Sequence, residues 1–229
     1  MSFVIPPAAI PALPVHGSDA FFPVHRLYCI GRNYAEHARE MGAEAVSRAQ
    51  PVFFLKPADA IVPGGGDVPY PSATKELHHE VEMVVALGDG GRDIDASRAL
   101  DCVFGYGVGL DLTRRDLQAS AKAKGLPWDV AKAFDASAPI SVLRPASEVG
   151  HPAHARLSLR VNGETRQQTD IAEMIFPVSD IIAELSKLFE LKPGDLIFTG
   201  TPAGVGPLQR GDVFRAELQD VAVLEGRIA

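Results

Sequence analysis

The sequence predicts an α+β, β-rich fold, and three observations carry that expectation. Short apolar runs rich in Val, Ile, Leu and Phe recur along the chain. Few stretches carry a helical period. Strands do not alternate regularly with helices, so a mixed, strand-dominated domain is expected rather than a doubly wound one. With 229 residues, 46% of them hydrophobic, the chain can build a substantial core.

In order, residues 1–23 contain many prolines and read as an N-terminal arm packed on the domain or on a partner subunit. Residues 24–229 read as one domain. RLYCI is a short strand, and NYAEHAREMG is a short helix ended by Gly42. PVFFLKP is a strand, and Gly64 to Gly66 mark a loop. LHHEVEMVVALG is a strand, DGGRDI a turn, and ASRAL a brief helical piece. VFGYGVGLDL is strand-like, and TRRDLQASAKAKG is a helix stopped by Gly125. RLSLRVNGETRQQT alternates on both sides of Asn162-Gly163 and predicts a hairpin. VSDIIAELSKLFEL predicts a helix with Ile181, Ile182, Leu185, Leu188 and Phe189 on one face and Ser179 as N-cap. LIFTG, RGDVFRAEL and VAVLEGRI complete the strands. Arg210-Gly211-Asp212 is expected to be a plain turn.

Acidic residues number 29 and basic residues 22, a net charge of -7. That field disfavours nucleic acid and anionic membrane surfaces, and no basic run offsets it. Cys29 and Cys102 each sit in apolar surroundings without a CxxC partner, so both are expected to be reduced and buried. The N-terminal segment lacks the basic start and long apolar core of a signal peptide, and no apolar run reaches the length of a membrane span. A cytoplasmic protein is expected.

Glu80 and Glu82 are the first candidates for chemistry. Side chains alternate along a strand, so both carboxylates share a face, with His78 two positions before Glu80. Either this face is solvated, or a hard cation neutralises the pair. Asp111, at the end of VFGYGVGLD, would serve as a third ligand or as a helix N-cap. His37 and Glu40 are i and i+3 on a helix. They could form an oriented general base or lie as solvated charges. Lys132 is a lone lysine among apolar residues, able to anchor a carboxylate or an oxyanion. GYGVG and GTPAGVG do not match phosphate loops and instead suit close backbone approach.

Together, CIGRNYAEHAREMG, FFLKPADAIV, LHHEVEMVVALG, GYGVGLDLTRRDLQ, GLPWDVAKAFDASAPI, RVNGETRQ and PGDLIFTGTPAGVGPL resemble, in order, the motifs of the fumarylacetoacetate hydrolase superfamily. The resemblance spans roughly residues 24 to 228 and implies a mixed β-sheet roll with a few peripheral helices. It implies the catalytic domain without the separate N-terminal domain of the larger fumarylacetoacetase. The wording is most similar to acylpyruvate hydrolases, in particular the bacterial fumarylpyruvate hydrolases of gentisate breakdown. The resemblance implies Glu80, Glu82 and Asp111 as ligands to one Mg²⁺ or Mn²⁺ ion. It implies His37 and Glu40 as a water-activating dyad and Lys132 as a substrate-contacting lysine. Arg32, Lys56, Arg115, Gln118 and Thr201 are expected to line a pocket for a 2,4-dioxo acid, in a homodimer. Sister activities on the same scaffold would be oxaloacetate decarboxylation, general acylpyruvate hydrolysis and hydroxymuconate-type isomerisation or decarboxylation. A non-catalytic keto-acid-binding protein is the contrasting class.

Overall fold

The strand Val81–Leu87 is buried along its whole length, which settles how the molecule is layered. The computed structural model describes residues 2–42 and 50–229; Met1 and residues 43–49 lie outside that description. Within it, an eight-stranded mixed sheet runs in the order Val52–Lys56, Arg26–Gly31, Asp195–Phe198, Val81–Leu87, Val103–Leu110, Ala138–Ile140 and Ile61–Pro63, with Arg144–Pro145 pairing beside Val103–Leu110. A five-stranded sheet covers one face of it, ordered Glu164–Asp170, Arg156–Val161, Val213–Leu218, Ala222–Ile228 and Gly66–Val68. The result is a curled, half-barrel β-rich fold with five α-helices among the described residues, as the sequence predicts.

Alternation along Val81–Leu87 divides the interior in two. Val81, Met83, Val85 and Leu87 join the main core together with Leu157, Leu159, Phe214 and Ala216 of the five-stranded sheet. Val84 and Ala86 point the other way, into a smaller core with Leu27, Cys29, Leu196 and Phe198. Glu82 shares parity with Val84 and Ala86. The solvated-strand alternative therefore fails: Glu80 and Glu82 are 6% and 2% exposed.

The smaller core is closed by the N-terminal segment. Ala12–Pro14 and Phe21–Pro23 pair antiparallel, and Leu13, Phe22 and Val24 pack beneath them against the large sheet. The second half of the arm is thus a hairpin, not a simple extended strap. Leu13 is fully buried, so Leu13→Ala should cost ~2–5 kcal/mol of stability. Urea melts of the full chain check this, and an unchanged midpoint would show that the arm is not part of the folding unit.

The hairpin at Asn162-Gly163 forms as expected, with both turn residues at positive φ (53° and 83°). The helix Arg115–Lys124 ends at Gly125 in the left-handed conformation. Three local expectations are corrected. LHHEVEMVVALG is not one strand: Leu77–His79 pairs with Thr113–Arg114 and Gly206–Pro207 in a separate three-stranded sheet, and Val81–Leu87 belongs to the eight-stranded one. The helix after Pro177 spans Val178–Leu188, so Ser179 lies inside it and does not cap it. Leu188 points to solvent (62% exposed) because the buried face turns through Val178, Ile181, Ile182 and Leu185. Cys29 and Cys102 are both free and buried. Among the described residues, no helix is long and apolar enough to cross a membrane.

Candidate active site and metal centre

Glu82 lies on Val81–Leu87 opposite Gly109 of the neighbouring strand. One step on, the Asp111 N–H donates to the Glu80 carbonyl at 2.8 Å, so strand pairing itself brings Asp111 beside Glu80. One potential ligand atom from each of Glu80, Glu82 and Asp111 lies within 4.8 Å of the other two, and all three residues are buried. Asp111 follows the strand Val103–Leu110, and the helix at Arg115 is capped by Arg114 without any side-chain hydrogen bond. The N-cap alternative for Asp111 is not realised.

Three cations back these carboxylates. Lys132 Nζ donates to Glu80 Oε2 at 2.7 Å and to Asp111 Oδ2 at 2.6 Å. Arg115 Nη2 donates to Glu80 Oε1 at 2.5 Å. Lys56 Nζ lies 2.8 Å from Asp111 Oδ1 and also donates to the carbonyls of Leu112 and Lys132. Burial would raise the Glu80 pKa, but Lys132 and Arg115 outweigh it and hold the carboxyl well below the ordinary carboxylate range. Burial likewise opposes the Lys132 charge, and Asp111 and Glu80 reverse this, so the ammonium stays protonated.

Glu82 is the exception. Burial, Asp111 and Glu80 all push its pKa well above the usual value, and its Oε2 accepts only from the Gly200 N–H at 2.6 Å among the described bonds. A buried carboxylate pressed against two others is relieved by a divalent cation, and three oxygen donors at this spacing suit a hard one. The residues present fit Mg²⁺ or Mn²⁺.

His37 rides on the helix Ala35–Glu40 at the end of Arg26–Gly31. Its Nδ1 is 3.1 Å from Glu40 Oε2, and Glu40 Oε1 accepts from the Gly204 N–H at 3.1 Å. His37 is 6% exposed, so the solvated-pair alternative does not hold for the imidazole. Gly200 has φ +94°, and a Cβ there would sit 2.6 Å from that of Asn33; only glycine lets its N–H reach Glu82.

A single pocket collects His37, Glu80, Glu82, Asp111, Lys132 and Thr201, together with Arg32, Arg115 and Gln118. Lys56 is placed apart: it is 1% exposed and sits behind Asp111 as a buried counter-ion, outside the pocket lining.

Other residues here were not singled out from the sequence. Gln167 donates to Thr201 Oγ1 at 2.8 Å and accepts from the Val81 N–H, while bonding His79. Asn33 ties the base-bearing segment to the carbonyls of Phe176 and Thr199. Lys122 and Trp128 also line the pocket. Burial, Arg115 and Arg32 push the Lys122 pKa down. His78, beside the site, is pushed down to about 4 by burial and Arg115.

The family model for the fumarylacetoacetate hydrolase C-terminal region matches residues 26–229. The chain belongs to the fumarylacetoacetate hydrolase family. Its relatives within the family carry different activities. A fumarylpyruvate hydrolase from Pseudomonas aeruginosa, solved in complex with Mn²⁺ and pyruvate, superposes with a TM-score of 0.97 at 50% identity, covering 100% of this chain and 99% of that one. The mitochondrial oxaloacetate tautomerase FAHD1 of Bos taurus is 44% identical over 202 residues, which is 88% of this chain and 90% of the relative. The 5-carboxymethyl-2-hydroxymuconate delta-isomerase of Mycobacterium smegmatis superposes at 0.80 and 31% identity, covering 92% of this chain and 80% of that one. This family member is therefore an enzyme of the hydrolase or tautomerase/isomerase group. Its cofactor is a divalent ion, Mg²⁺ or Mn²⁺.

Proposed function

We propose that the protein hydrolyses the C–C bond of a 2,4-dioxo acid, with 3-fumarylpyruvate giving fumarate and pyruvate in gentisate-type aromatic catabolism. The observation that carries this reading is the buried imidazole of His37, which faces the same pocket as the carboxylate triad and is held through its Nδ1 by Glu40. Water activation needs such a base, and the likeness to the P. aeruginosa fumarylpyruvate hydrolase supports it.

Glu80, Glu82 and Asp111 would hold the ion. When bound, it supplies Lewis-acid stabilisation of developing oxyanion charge. Glu40 accepts the Nδ1–H of His37 and so leaves Nε2 free to take a proton from water. The water oxygen bonds to the distal keto carbon, C4. The C3–C4 bond then breaks, and its electron pair passes to C3 as the pyruvate enolate. His37 returns its proton to C3. Lys132, held charged beside the triad, offsets the enolate's negative charge, and Arg115, Gln118 and Thr201 position the substrate.

A second reading, interconversion or decarboxylation of oxaloacetate, is favoured by the 44% identity to oxaloacetate tautomerase. Both readings need the triad, so the substrate decides between them. Chelator-stripped protein should leave the enol absorbance of fumarylpyruvate unchanged, and Mg²⁺ or Mn²⁺ should restore its loss. Acetylpyruvate and oxaloacetate run in parallel. Restored turnover of oxaloacetate with fumarylpyruvate untouched would overturn the hydrolase assignment.

We also take residues 24–229 as the catalytic unit and the protein as a cytoplasmic homodimer. Its two free buried thiols suit a reducing compartment, and exposed Val52, Leu55, Leu126 and Val130 offer an apolar face for a second copy.

A further inference from the structure

Four cationic side chains, besides His37, line the pocket: Arg32, Arg115, Lys122 and Lys132. Two of them are already committed. Lys132 holds Glu80 and Asp111, and Arg115 holds Glu80 and the Gln118 amide oxygen. Arg32 and Lys122 differ from these. Among the described residues, neither forms an ion pair with a carboxylate, although the chain carries seven more negative than positive charges.

Lys122 follows Arg115 and Gln118 by seven and four positions on the helix Arg115–Lys124, so all three share the face turned to the pocket. Its Nζ lies 5.1 Å from the centroid of the Trp128 ring, an aromatic neighbour that steadies an ammonium without neutralising it. Arg32 sits at positive φ (62°), a backbone conformation rare for arginine, directly after the strand that carries the pocket wall. Phe54 and Trp128 line the same pocket, their ring centroids 6.0 Å apart.

We propose that Arg32 and Lys122 form a second anion site in this pocket, which binds a carboxylate at the far end of the substrate's acyl arm, across an aromatic wall of Phe54 and Trp128. The pocket is then built for a dianion: the keto-acid end goes to the triad and the remote carboxylate to the Arg32–Lys122 pair. Arg32 and Lys122 lie close enough for each charge to feel the other, and a ligand carboxylate between them relieves that repulsion. The site thereby discriminates against acyl arms that end in a methyl group. This inference rests on reading the pocket as one for a 2,4-dioxo acid and names the residues that choose among such acids.

The test separates binding from turnover. Calorimetry with the Mn²⁺-loaded protein compares 2-oxoadipate with 2-oxohexanoate, two six-carbon 2-oxo acids that differ in the terminal carboxylate. Wild type should prefer 2-oxoadipate by roughly two- to fivefold, the scale for solvent-accessible charge pairs. Lys122→Met should lower the ratio, Lys122→Arg should restore it, and 0.5 M KCl should shrink it. A ratio near one in wild type, or a ratio unmoved by Lys122→Met, overturns the proposal. A retained, Lys122-dependent preference in a protein that hydrolyses no acylpyruvate would overturn the hydrolase reading and leave the anion site standing.

Discussion

Glu82→Ala is expected to abolish metal binding and, with it, all turnover. Glu82 is the carboxylate that burial, Asp111 and Glu80 push above its ordinary pKa, and no cation pairs with it among the described residues. Lys132, Arg115 and Lys56 serve Glu80 and Asp111 instead. Removing Glu82 takes away the ligand most in need of the ion. The loss in affinity should exceed ~10²-fold, since even outer partners of metal ligands cost 10–100-fold. Alanine also deprives the Gly200 N–H of its acceptor, so Glu82→Gln provides the control. It keeps an oxygen for that N–H and removes only the charge. Wild type at a hundred times its Kd for Mn²⁺ should gain about 2.7 kcal/mol of stability, and both variants should gain almost none. Thermal melts with and without Mn²⁺ read this directly. A wild-type metal shift in Glu82→Gln would remove Glu82 from the ligand set.

His37→Ala should slow hydrolysis by ~10² to 10⁴ while leaving the Mn²⁺-induced shift in Tm close to that of wild type. Among the described residues, His37 makes no side-chain hydrogen bond to the triad; its Nδ1 pairs with Glu40, at the end of its own helix. The same variant divides the chemistries open to this family. Hydrolysis needs a proton taken from water, whereas decarboxylation of oxaloacetate does not. Single-turnover rates with both keto acids measure the division. If His37→Ala hydrolysed fumarylpyruvate at the wild-type rate, the dyad would lose its role.

Local pattern made much of this readable in the amino-acid order. The Asn162-Gly163 hairpin, the stop at Gly125 and the parity of Glu80 with Glu82 follow from periods of two or 3.6 and from turn chemistry. Those rules act over a few residues, and so do the features they predict. What the sequence hid depends on strands pairing across long separations. Gln167 meets His79 across 88 positions, and Lys56 reaches the Leu112 carbonyl across 56. Nothing near Lys56 in PVFFLKP signals that its charge turns inward behind Asp111 and away from the pocket. Nothing in TRRDLQASAKAKG marks Lys122, because its place in the pocket beside Arg32 exists only once the sheet is assembled. The Ser179 cap failed for a local reason: Pro177 precedes the helix, which begins at Val178, two residues earlier than a cap at Ser179 implies.

Glu82 lies in the central sheet opposite Gly109, and Glu80 and Asp111 flank that strand pair, joined by a backbone hydrogen bond. The base rides on a six-residue helix outside that sheet, tethered through Asn33 and Gly204. Such a division makes the scaffold readily evolvable. A lineage can rewrite the segment around residues 33–42 and exchange one proton-transfer chemistry for another without disturbing the ligands. Relatives bearing the names of a hydrolase, a tautomerase and an isomerase are what this modularity would produce.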